Sequence, residues 1–134
     1  MRRHERLQPL SREHHHTLKI ARRLQRGEPD DALHRELAEH RRELAAHFEA
    51  EESIGRQARA QCPEDTTLAG QLDRMQHEHR QIEALLTEVL EGACDQGSCH
   101  RLGALLVAHV RFEERVLFNH LQEGCLPGQV GESV

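Results

Sequence analysis

Four stretches of this chain carry apolar residues at alternating three- and four-residue steps, and histidine or glutamate interrupts every one of those stripes. The stripe of the second stretch reads Leu33, Leu37, His40, Leu44, His47, Glu51, Ile54. The third reads Leu68, Leu72, Met75, His79, Ile82, Leu86, Val89, and the fourth Leu102, Leu106, His109, Glu113, Val116, His120. The first is shorter: Leu7, Leu10, His14, Thr17, Ala21, Leu24. Steps of three and four place residues on one face of an α-helix. A glutamate on such a face is costly unless something compensates its charge. The fold must therefore bring the interruptions together.

Breakers set the helix limits. The expected helices run from about 11 to 26, 31 to 60, 66 to 91 and 98 to 123. Ser11, Asp30, Asp65 and Ser98 stand at their starts, Cys62-Pro63 closes the second, and Gly92 stops the third. The tail 125–134, with Pro127, Gly128 and Gly131, is expected to be mobile. Short connections between long helices imply one all-α domain over residues 1–134, an antiparallel up-down-up-down four-helix bundle. Aromatic residues make up only 2% of the chain, with no Trp and no Tyr. Such a composition favours helices over sheets.

At about 1.5 Å of rise per residue, the interruptions fall at similar heights in the bundle. The layer they form holds His47-x-x-x-Glu51 on the second helix, His109-x-x-x-Glu113 on the fourth, His14 on the first and His79 on the third. An i, i+4 pair projects two side chains the same way from adjacent turns. Four imidazoles and two carboxylates suit iron, manganese or zinc, and the layer has no thiolate to suggest a cysteine-rich structural zinc site. Six donors are too many for one reactive ion and fit two. The expected arrangement has Glu51 and Glu113 bridging, His14 and His47 completing one ion, and His79 and His109 the other. Helical register selects His14 over His15 and leaves His16 exposed. His40 and His120 lie about two turns from the layer, as ordinary hydrogen-bonded histidines or as supports of the centre, and Met75 reads as packing. A ferritin-like cluster needs Glu-x-x-His on two helices, and only Glu13-x-x-His16 matches.

Charge and cysteine content narrow the setting. The net charge of −5 disfavours a nucleic-acid partner. No apolar run approaches the ~20 residues of a membrane span. No apolar stretch follows the first six residues, so the expected location is the cytoplasm. Cys62, Cys94, Cys99 and Cys125 are accordingly expected as thiols. Cys94 and Cys99 flank a loop and could form a redox-sensitive pair, and zinc binding by these two with His100 lacks a fourth ligand.

The stretches Leu10-Ser-Arg-Glu-His14, His47-Phe-Glu-Ala-Glu51-Glu52, Glu78-His79-Arg-Gln-Ile82 and His109-Val-Arg-Phe-Glu113-Glu114 resemble the hemerythrin-like, HHE cation-binding family. The resemblance implies two non-haem iron ions with an oxo or hydroxo bridge, manganese or zinc being possible substitutes. It also implies a small partner: oxygen, nitric oxide or peroxide. Oxygen-carrying hemerythrins have a second histidine where this chain has Met75, and their last carboxylate falls at Glu114, whereas Glu113 fits bacterial variants. The resemblance thus points to a reactive or sensing centre more than to an oxygen carrier. An interaction module with a structural metal, and a small peroxide- or nitric-oxide-reducing enzyme, are compatible with the same ligands.

Overall fold

The structure is a computed structural model and describes residues 2–26, 30–92 and 95–126. It contains α1 (Gln8–Arg26), α2 (Asp31–Gln61), α3 (Thr66–Glu91) and α4 (Gln96–Phe112). A π-helical turn (Glu113–Leu117) and a short α5 (Phe118–Leu121) continue α4. The described residues are all helical apart from turns, and α1 packs on α2 and α4 while α3 packs on α2 and α4. This closes a four-helix bundle.

The helix starts follow the acidic caps. Asp30, Asp65 and Asp95 each accept a hydrogen bond from the backbone N–H three residues on, at 2.7, 2.9 and 2.7 Å. Such a cap satisfies one of the otherwise unpaired first-turn donors. The fourth helix therefore starts at Gln96, two residues before the expected Ser98, because the Asp95 carboxylate takes the Ser98 N–H. The first helix also starts early. The His4 carbonyl already accepts from the Leu7 and Gln8 N–H groups, and Pro9 is harmless in a first turn, where its missing N–H has no partner to lose.

The stripes of α2 and α3 are buried as the periodicity predicts, Met75 among them at 1% exposure. The stripe of α4 departs from expectation after Glu113. Val116 is 43% exposed and His120 only partly covered, while Leu117, Phe118 and Leu121 are buried. The reason is the π turn: the Phe118 N–H donates to the Glu113 carbonyl, an i→i+5 bond that inserts one residue into the turn. Everything beyond it is rotated, and the inward register moves from Val116 and His120 to Leu117 and Leu121.

The apolar core is divided in two. One cluster gathers Leu7, Leu10, Ile54, Leu68, Leu72, Met75 and Phe112 with Leu117, Phe118, Leu121, Cys125 and Leu126. The other gathers Ile20, Leu24, Leu33, Leu37, Leu44, Phe48, Ile82, Leu86, Leu102 and Leu106. The polar layer lies between them.

Two cysteines depart from the thiol expectation. Cys62, at the end of α2, and Cys125 form a disulfide, with Cα atoms 5.7 Å apart. Compartment and spacing carry no signal for this pair, which meets only because α5 brings Cys125 back to the α2–α3 turn. Gly124 turns the chain there at φ +136°, a conformation that glycine adopts without a side-chain clash. The start of the expected mobile tail is thus fixed, with Cys125 and Leu126 buried in the core. The remainder of that tail and Cys94 lie outside the described residues. Cys99 is buried on α4, and no described helix is long and apolar enough to cross a membrane.

Candidate metal centre

All six residues singled out in the layer are brought together and buried. His14, His47, Glu51, His79, His109 and Glu113 are between 0 and 4% exposed. The same α1 turn exposes His15 and His16, and His77 on α3 is exposed as well. The ring nitrogens and carboxylate oxygens form two overlapping groups: His14, His47, Glu51 and Glu113, and Glu51, His79, His109 and Glu113.

Each carboxylate reaches both groups. Glu51 presents Oε2 to the Nε2 atoms of His47 and His14, at 2.9 and 3.3 Å, and Oε1 to Nε2 of His79 at 3.0 Å. Glu113 presents Oε1 to His14 Nε2 at 2.9 Å and Oε2 to the Nε2 atoms of His109 and His79 at 3.1 and 3.5 Å. One oxygen toward each histidine pair is the geometry of a bridging carboxylate.

Sequence reasoning missed the residues that orient the imidazoles. His14 Nδ1 donates to Glu114 Oε2 at 2.6 Å, and His47 Nδ1 to Glu13 Oε1 at 2.7 Å. His79 Nδ1 donates to Glu52 Oε2 and His109 Nδ1 to Glu78 Oε1, each at 2.7 Å. An ionised carboxylate only accepts, so the proton sits on Nδ1 and the Nε2 lone pair of a neutral ring points inward. This carboxylate–histidine arrangement typically supports metal-bound histidine. A signal was present: Glu13, Glu52, Glu78 and Glu114 each adjoin one of the six core residues in sequence.

The residues fit cations on an observation independent of that pattern. Glu51 Oε2, Glu113 Oε2 and His109 Nε2 are buried with no hydrogen-bond partner. His14 Nε2 and His47 Nε2 face one another at 3.1 Å, a contact that needs a proton or a cation between them, since two bare lone pairs would repel. Buried polar atoms left in this way cost on the order of 1–3 kcal/mol each. Positive charge between them removes the penalty.

Without a metal, protons do this work unevenly. Burial, and then the neighbouring Glu113 charge, push the Glu51 carboxyl well above the usual range. Burial also opposes ionisation of Glu113, but the His109 charge and the close imidazoles of His109, His14 and His79 outweigh it and hold Glu113 well below the usual range. Burial disfavours the His109 cation, yet Glu113 and Glu78 outweigh it and raise that imidazole to about 9. His14 is raised against burial by Glu113 and Glu114, and His47 is lowered by burial and by the His14 charge.

Aromatic rings close the layer. Phe48 stacks on His79 with centroids 3.8 Å apart, and Phe118 stacks on His14 at 5.5 Å. The other two histidines of the sequence stripes, one buried and one displaced from the inward face by the π turn, serve elsewhere. His40 pairs with Thr17 and Glu43, and His120 with Asp65 and Gln71.

Searches of curated proteins and of solved structures each found no match. The family model described as hemerythrin HHE cation binding domain matches residues 5–122, a span that takes in all six buried residues and their four carboxylate partners, and the chain belongs to that family.

Proposed function

We propose that this protein holds two iron ions between its helices and uses them to bind or sense oxygen, nitric oxide or peroxide. His14 and His47 serve one ion, His79 and His109 the other, and Glu51 and Glu113 span both. The observation that carries this reading is the pair of carboxylates, each presenting one oxygen to each histidine pair. Iron bound there would supply a redox-active, Lewis-acidic centre for a small ligand.

The chain's own residues do the rest. Glu13, Glu52, Glu78 and Glu114 keep the Nδ1 protons and fix the four rings. Phe48, Phe118 and the two apolar clusters exclude bulk water, so charges in the layer interact more strongly than in solvent. Six protein side chains shared between two ions leave positions for an exogenous ligand. Met75, a packing residue in the apolar cluster, adds no nitrogen to the layer.

The test is aerobic iron loading followed by metal analysis and optical titration with oxygen and nitric oxide. The chain has no Trp or Tyr, so ligand-to-iron bands stand out in the near ultraviolet. Two irons per chain and bands that change with added gas are expected. Colourless protein holding less than about one metal ion per chain overturns the reading.

A further inference from the structure

A second cluster of metal-type donors lies outside the layer. His16 on α1 and His40 and Glu43 on α2 bring their donor atoms within 4.8 Å of one another. Two imidazole nitrogens converge on one oxygen: His40 Nδ1 and His16 Nδ1 stand 3.2 and 3.3 Å from Glu43 Oε2. The rings meet edge to face, with centroids 4.8 Å apart. The other nitrogen of His40 is held by Thr17 Oγ1 at 2.9 Å, the kind of contact that fixes the ring of a metal ligand. His40 is buried, whereas the His16 and Glu43 side chains are 51 and 62% exposed. The cluster therefore has a fixed inner donor and an open outer side.

Its location gives it a purpose. A cavity of about 550 Å³ is lined by His16, His40 and Glu43 and also by Glu13 and His47. Those last two belong to the buried centre as an orienting carboxylate and one of its six core residues. The cavity thus runs from solvent-facing donors to the wall of the layer. The remaining donor group among the described residues, Asp65, His120 and Cys125, has its sulfur engaged in the disulfide.

The geometry points to a third, mononuclear cation site at His16, His40 and Glu43, which receives a divalent transition-metal ion from solvent and passes it to the buried centre. Two imidazoles and one carboxylate, completed by water, suit iron(II), cobalt(II), manganese(II) or zinc. They do not suit copper(I), which prefers sulfur, or magnesium and calcium, which prefer all-oxygen cages. Burial is the largest influence on His40 and holds it below the usual histidine value, leaving its ring neutral at pH 7. The delivery role rests on the dinuclear reading of the layer.

The test uses metal-free full-length protein and cobalt(II) under anaerobic conditions. The wild-type chain is compared with His16→Ala/Glu43→Gln, which alters two exposed side chains, and with His40→Ala. Equilibrium dialysis is expected to give three ions per chain for wild type and two for the double variant. The third ion is expected to bind at least about 100-fold more weakly in the variants, at or beyond the upper end for losing one supporting partner. Stopped-flow absorbance is expected to show the buried centre filling severalfold more slowly in the double variant, to the same endpoint. A third ion that persists in the double variant, or an unchanged filling rate, overturns the proposal. Failure of the dinuclear reading looks different: wild type then binds one ion, still lost in the double variant, which removes the delivery role as well.

Discussion

Replacing the carboxylates behind the histidines should weaken metal binding in order of their burial. Glu78 is the most enclosed, its side chain 14% exposed, followed by Glu114 at 26%, Glu52 at 31% and Glu13 at 57%. Their distances to Nδ1, 2.6 to 2.7 Å, are nearly the same, so solvent access decides the outcome. In Glu78→Ala the His109 Nδ1–H, in a residue 2% exposed, loses its acceptor where water cannot easily replace it. A charge-assisted hydrogen bond of this kind contributes about 1.5–3 kcal/mol, or roughly tenfold to hundredfold in metal affinity. In Glu13→Ala water reaches His47 Nδ1, and the loss falls to roughly 0.2–1 kcal/mol, at most about fivefold. Glu78→Gln keeps an oxygen acceptor and should recover part of the loss. The assay is competition for cobalt(II) against a chromogenic chelator, with far-ultraviolet melting to confirm folding. Equal losses in Glu13→Ala and Glu78→Ala, or a larger loss in Glu13→Ala, would refute the reasoning that these carboxylates act through dry hydrogen bonds to ligand rings.

Metal uptake at neutral pH should release protons, because Glu51, His14 and His109 are all shifted toward their protonated forms in the metal-free site. Affinity should then fall as pH drops below about 9, where His109 takes up its proton, and a pH-indicator titration showing no release would contradict the assignment. Reducing the Cys62–Cys125 disulfide, which spans 63 residues, should cost on the order of 4 kcal/mol by loop entropy. For a chain of this length that is roughly 15 °C in Tm, and melts with and without reductant check it. Gly103→Ala should destabilise by about 1–3 kcal/mol, since an added Cβ would lie 2.6 Å from the Ala21 carbonyl oxygen, where α1 and α4 touch. Gly70→Ala on α3 meets nothing within 4 Å and should instead stabilise by about 0.5–1 kcal/mol; urea titration of both variants distinguishes packing from propensity.

How far the sequence could be read depended on whether a feature repeats along a helix or depends on a neighbour. The stripes of α2 and α3 were legible to the residue because each is one uninterrupted α-helix with a constant turn. The fourth stripe was legible only as far as Glu113. Nothing in Glu113-Glu-Arg-Val-Leu117 announces a π turn, so Val116 and His120 read as inward when they are not. Ser98 read as a cap because the periodic pattern begins near it, but Asp95 is placed to accept its N–H. The disulfide was illegible for a stronger reason: it depends on where Cys125 lies after that altered turn. His16, read as merely exposed, is so, yet its meeting with Glu43 needs the facing of α1 against α2.

The orienting carboxylates show the same limit and also why the centre holds together. Glu13 adjoins His14 on α1 but serves His47 on α2. Glu52 adjoins Glu51 on α2 but serves His79 on α3. Glu78 adjoins His79 on α3 but serves His109 on α4, and Glu114, beside Glu113 in the π turn, returns to His14 on α1. Each helix thus contributes a core residue and, one position away, the acceptor that aims the next helix's histidine. The sense of that circuit is set by the handedness of the bundle, which no single helix encodes. A rotation of any one helix would displace its own inward group and also release the ring beside it. The buried charges of the layer are therefore tolerated only in the assembled bundle, where every helix corrects the orientation of its neighbour.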